Sequence, residues 1–87
     1  MTFEDDRSMA FYDIHPKAKY HLLIIPKKHI PSLMTVEESD QPLIGHLVWN
    51  AKKIADSMAL QGYQVRLHVG EKGGQEVPHM HFHLLAD

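Results

Sequence analysis

The chain has 87 residues, 44% hydrophobic and 23% charged, a balance that fits a folded protein and not a disordered segment. Its formal net charge of -2 supplies no basic field to draw in a nucleic acid, so any nucleotide has to be gripped locally. Without cysteine there are no disulfides or thiolate metal sites; no apolar run approaches the ~20 residues of a membrane span, and the acidic start from Met1 to Arg7 is unlike a secretory signal, so a cytoplasmic protein is expected.

Met1 to Glu4 gives a weak signal for a short first strand. Ser8 to Ile14 (SMAFYDI) and Tyr20 to Pro26 (YHLLIIP) are strand-length and rich in aromatic or branched residues. HPKAK lies between them, with proline at its second position, and predicts two antiparallel strands joined by a tight turn. From Asp40 to Leu60 the period changes. Leu43, Ile44, Leu47, Val48, Ala51, Ile54, Ala55 and Met58 recur three and four apart and draw one apolar stripe on a helix. Ser39 or Asp40 can cap its first turn, Pro42 suits its start, and Gly62 sits just past its end.

Alternation returns at Tyr63 to Val69, where Gln64, Arg66 and His68 share one face and Tyr63, Val65, Leu67 and Val69 the other. After the turn GEKGG, Val77 to Leu85 reads as the last strand, with Val77, His79, His81 and His83 on one face and Met80, Phe82 and Leu84 opposite. The two segments are expected to pair as a hairpin. The predicted class is α+β: an antiparallel sheet of about four to five strands with one main helix on one face, in a single domain over residues 1–87.

Four of the eight histidines follow residue 67, and three of them alternate. Side chains two apart on a strand stand roughly 7 Å apart on one face. Three imidazoles so close cannot all be charged cheaply, and their titrations are coupled. Such a set can hold a neutral nucleophile, a proton donor and an orienting partner together, which suits nitrogen attack on phosphorus. A polyhistidine tag is excluded by the alternation within an apolar strand. Two rivals stand beside the catalytic reading: a solvated strand face with chance histidines, and a zinc site using His79, His81 and His83 with His68 or His29 as fourth ligand.

His79-Met80-His81-Phe82-His83-Leu84-Leu85 resembles the signature of the histidine triad (HIT) superfamily. Upstream, GGQEV (Gly73 to Val77), IPKKHI (Ile25 to Ile30) and FYDIHPKAKYH (Phe11 to His21) are similar to the Hint branch, in the same order and spacing. The resemblance implies a hydrolase or transferase cleaving nucleoside 5′-phosphoramidates, typically of purines, through a nucleotidyl-histidine intermediate, without cofactor or metal. It implies His81 as nucleophile, oriented by His79, with His83 near the phosphate as a charged stabiliser of its oxygens. Gln75 is expected to hydrogen-bond the scissile region and His29 to pack beside the triad. Asp13 is expected to hold the ribose and Ile14 to flank the base, with Val77, His68 and Glu76 completing the nucleotide site. The family relationship also implies a homodimer that joins two sheets into one.

Three features depart from the family pattern. His68 stands where the branch usually has asparagine, and Glu76 stands where serine is common. Glu76 repels a phosphate at neutral pH or favours a cationic amine leaving group. The chain also lacks the family's usual amino-terminal helix and carboxy-terminal tail, so a more open pocket with modest base selectivity is expected. The alternatives within reach of these changes are a nucleotide-binding module with little catalysis, a dinucleoside polyphosphate hydrolase and a histidine-cluster zinc protein.

Overall fold

In a computed structural model, described over residues 2–87, five antiparallel strands form one sheet. They are β1 (Thr2–Glu4), β2 (Ser8–Tyr12), β3 (Tyr20–Pro26), β4 (Gln64–Leu67) and β5 (Phe82–Ala86), in the order β1-β2-β3-β5-β4. The helix α1 (Gln41–Ser57) covers one face. It is not long and apolar enough to cross a membrane. The expected class, an α+β antiparallel sheet of about four to five strands with one main helix, is what the chain adopts, with five strands. Met1 of the predicted first strand lies outside the described residues.

The registers divide the side chains by face. Phe11 pairs with Leu23, Leu23 with His83, and His83 with Arg66, so these four form one row across the open face. The alternate row, Ala10, Ile24 and Phe82, is buried against α1 together with Leu22, Leu84 and Met80. From the helix come Leu43, Leu47, Ala51, Ile54 and Ala55. Burying a side chain such as Leu47 or Leu84 is worth about 2 kcal/mol, and this paired layer is the principal source of stability. The helix stripe is narrower than its period suggests: Val48 is exposed, while Asn50 is fully buried.

Several boundaries move for local reasons. β2 stops at Tyr12, two residues before the predicted end, because the Asp13 carboxylate accepts the His15 N–H at 2.8 Å and bends the chain ahead of Pro16. The link to β3 then spans residues 13–19, longer than a tight turn. The helix ends at Ser57, not Leu60, with Ala59 rather than Gly62 in the left-handed region (φ 56°) and the Leu60 N–H on the Ala55 carbonyl. β4 is shorter at both ends than Tyr63 to Val69.

The largest change is in the last strand, whose ladder begins only at Phe82. Pro78 has no N–H to donate, and the Met80 N–H is taken by the Ile30 carbonyl at 2.6 Å, so residues 77–81 form a loop rather than a strand. Facing nevertheless continues through the break: Met80 and Phe82 are buried, while His81 and His83 stay on the open side. The β4–β5 link is correspondingly longer than GEKGG, with a short helical turn at Glu71–Gly73 and positive φ at Gly70 and Gly74. The positive φ of Gly70 favours glycine, whereas the nearest atom to an added Cβ, Sδ of the exposed Met34 at 3.0 Å, can move aside.

Candidate functional site

The open face carries two adjoining cavities, both lined by His81. One, about 200 Å³, is walled by Phe11, Leu23, Ile25, Val77 and His79. The other, about 460 Å³, is bordered by Asp13, His21, His68, Glu76 and His83 among others. An apolar slot thus opens directly into a polar, histidine-rich one, with the central imidazole between them.

Backbone carbonyls decide where the imidazole protons sit. His81 Nδ1 lies 2.7 Å from the His79 carbonyl oxygen, which only accepts, so Nδ1 carries the hydrogen and Nε2 keeps its lone pair. His79 Nε2 lies 3.0 Å from the Pro26 carbonyl and is likewise the protonated nitrogen. Its Nδ1 must then accept from His29 Nδ1 at 3.0 Å. The expectation that His79 orients His81 therefore has a specific form here: its carbonyl does so, while its ring turns to His29 and Pro26.

A second chain of bonds runs through a residue that the sequence reading passed over. The Lys17 N–H donates to His21 Nδ1 at 3.1 Å, which leaves the hydrogen on His21 Nε2. That nitrogen faces His83 Nδ1 at 2.9 Å, with Asp13 Oδ2 at 3.6 Å. His83 accepts at Nδ1, so as a neutral ring it bears its hydrogen on Nε2, which is buried and without a partner. Burial pushes the His83 pKa down to about 4, and the neighbouring His81, His21 and His68 push in the same direction. At neutral pH His83 is thus an uncharged donor, where a charged stabiliser was expected. His21 sat inside the apolar strand YHLLIIP; the available signal was its strand parity with Leu23 and Ile25, which places it on the open face.

The depressed His83 value has a consequence for stability. The unfolded chain takes up this proton near pH 6.5 and the folded chain only near pH 4. Stability from the neutral ring is therefore complete above about 6.5 and declines as the pH falls from there toward 4. In a histidine proton-resonance titration, His83 should stay neutral well below pH 6; titration at its ordinary value would refute the arrangement.

The remaining predicted residues are placed as follows. Asp13 and Glu76 border the polar cavity, and His68 stacks at 5.0 Å from the His83 ring. Ile14 is 86% exposed beside Asp13 and is packed into neither slot. Gln75 differs most from its expected role. Its Oε1 accepts the Gly70 N–H, and its Nε2 donates to the carbonyls of Pro31 and Val77 at 2.5 and 2.9 Å. Both ends of the amide thus help to pin residues 70–77 to the loop after β3, with both Nε2 hydrogens engaged and Oε1 retaining one acceptor position.

The expected zinc set of His68, His79, His81 and His83 is not assembled, because the His79 ring faces His29 and Pro26. Among the described residues one group has donor atoms within 4.8 Å of one another: Asp13, His21 and His83. That set fits a metal poorly. The Lys17 N–H occupies the Nδ1 lone pair of His21, so ligation through Nε2 would require the ring to lose its last proton.

A sequence profile of the HIT domain matches residues 1–87. An uncharacterized HIT-like protein of Synechococcus elongatus is 42% identical over 87 residues, 99% of this chain and 76% of that protein. Among solved structures, a HIT family hydrolase from Legionella pneumophila matches with a TM-score of 0.93 at 45% identity, covering 97% of this chain and 77% of that one. A histidine triad protein from Clostridium difficile matches with a TM-score of 0.94 at 40% identity, covering 98% and 76%.

Proposed function

This chain belongs to the HIT family, and from that membership and the geometry of its open face we propose a hydrolase of the Hint type that cleaves nucleoside 5′-phosphoramidates through a nucleotidyl-His81 intermediate. The observation that carries the reading is the His79 carbonyl on His81 Nδ1. It leaves one unprotonated imidazole nitrogen, Nε2, on the residue that lines both slots, as nucleophilic attack on phosphorus requires.

The other roles follow from placement. The apolar slot between Phe11, Leu23, Ile25 and Val77 takes the base, while Ile14 stands exposed outside it. Asp13 keeps acceptor capacity for a ribose hydroxyl in the adjoining histidine-rich cavity. The partnerless Nε2–H of His83 donates to a phosphoryl oxygen, which satisfies a buried group that is otherwise left without a bond. His29 holds the His79 ring, and Gln75 fixes the loop that carries both into place. His68 and Glu76 border the space left for the leaving group. We further read the chain as a cytoplasmic homodimer. The exposed edge strand β4, with Val65 and Tyr63 uncovered, is the part of the sheet a second copy would extend.

The test is a turnover assay on adenosine 5′-phosphoramidate and on a dinucleoside polyphosphate, each with and without excess chelator. AMP released from the phosphoramidate, faster than from the polyphosphate and indifferent to chelator, is the expected result. Binding of AMP with no product from either compound would reduce the site to a nucleotide-binding module.

A further inference from the structure

Beyond the histidines, the polar cavity runs into a further one of about 340 Å³ between β4, the β2–β3 loop and the end of β5. Lys17, Arg66 and Leu85 line both, so the two are continuous. Arg66 stands directly opposite His83 in the β4–β5 register, on the open face. Its Nε donates to Gln64 Oε1 at 2.7 Å, which fixes the guanidinium by one edge. No carboxylate among the described residues pairs with Arg66 or Lys17, which leaves both cations available to a ligand in this cavity.

We propose that Arg66, with Lys17, forms a subsite for an anionic group carried by the leaving group, so that the preferred substrates are phosphoramidates of amines bearing a free carboxylate. The inference rests on the phosphoramidase reading and names its leaving group. The wall has mixed charge, since Glu76 and Asp87 border the same two cavities. A multiply charged polyphosphate tail meets those carboxylates and is repelled. An amine with one carboxylate brings a single negative charge, which meets the planar guanidinium and can be bound in a two-pronged manner. Glu76 borders the histidine end of the cavity, where the nitrogen becomes cationic only as it departs. In the first step the His81 Nε2 lone pair forms a bond to phosphorus and the phosphorus–nitrogen bond breaks. Its electron pair goes to the amine nitrogen, which takes protons from solvent and departs as an ammonium. Water then displaces His81 from phosphorus, returning the pair to Nε2 and releasing the nucleoside monophosphate.

The experiment uses the adenosine 5′-phosphoramidates of an amino acid with a free carboxylate and of its methyl ester. Turnover is compared on the native chain and Arg66→Gln. The free acid should be favoured in kcat/KM by about tenfold on the native chain, the worth of one charge-assisted pair. That preference should fall toward one in Arg66→Gln and shrink as salt is raised. Equal rates for acid and ester on the native chain, or a preference that Arg66→Gln leaves intact, would overturn the subsite. Binding of both compounds to His81→Ala, with and without Arg66→Gln, separates this from the chemistry. If nothing is cleaved, the phosphoramidase reading fails, while tighter binding of the acid that needs Arg66 still upholds the subsite and equal binding still removes it.

Discussion

His81→Ala is expected to lower kcat on a nucleoside phosphoramidate by at least about ten-thousand-fold, because it removes the atom that forms the covalent bond. His81→Gly should lose as much, and it leaves a space that free imidazole can enter to restore part of the rate. His81 is half-buried on the open face and outside the packed layer, so neither variant should lower the melting temperature by more than a few degrees. Turnover above one hundredth of the native rate in the folded alanine variant would contradict the assignment of the nucleophile. His79→Ala should be far milder on the tautomer of His81, since the His79 carbonyl that holds the Nδ1 hydrogen belongs to the backbone and survives the substitution.

Asp5→Ala carries the second large effect, and it falls on stability. The Asp5 carboxylate accepts from the N–H groups of Arg7 and Ser8, the Ser8 hydroxyl, His46 Nε2 at 2.6 Å and Asn50 Nδ2 at 3.1 Å. It thereby ties the β1–β2 turn to α1. Asn50 and Ser8 are fully buried, so the substitution leaves each of them short of an acceptor, with the Asn50 amide keeping its bond to Ser8 Oγ at 2.8 Å. The cost should be on the order of 3 kcal/mol or more, a fall in melting temperature of at least about 12 °C for a domain of this size. Burial alone would raise the Asp5 pKa, but the donors outweigh it and hold the carboxyl well below the usual range. Its contribution is therefore complete above the unfolded value of 3.8 and is lost as the pH falls below it. The deficit of Asp5→Ala relative to the native chain should accordingly be full at pH 7 and narrow below about pH 4, as differential unfolding across pH would show.

These two sites differ in how far the sequence disclosed them. The histidine cluster was legible because strand alternation and the two-residue spacing of His79, His81 and His83 act locally, whereas the choice of His81 as nucleophile came from the family resemblance. The helix was legible because its apolar residues repeat every three and four. The strand YHLLIIP was bounded correctly, since proline and the preceding lysines interrupt it at both ends. His21 was not legible as a site member, because its contact with His83 joins residues 62 positions apart and depends on which strands are neighbours. The Asp5, His46 and Asn50 cluster is hidden for the same reason. Asn50 sits one turn from Leu47 and Ile54 on the buried side, and nothing within the helix announces that an aspartate from a distant turn will satisfy it. The break at Pro78 shows the opposite limit: alternation of facing survived while the ladder did not, because a proline removes a hydrogen bond without turning its neighbours over. The role of Gln75 at the scissile bond came from resemblance alone, and no local pattern announced that its amide also bonds the backbone of two loops.

The central claim, covalent catalysis by His81 Nε2, is tested most directly by intact-mass spectrometry after rapid acid quench with adenosine 5′-phosphoramidate. The account predicts a transient adduct of one nucleoside monophosphate on the native chain and none on His81→Ala. Turnover of the native chain with no adduct at any quench time, or an adduct that persists in His81→Ala, would contradict it.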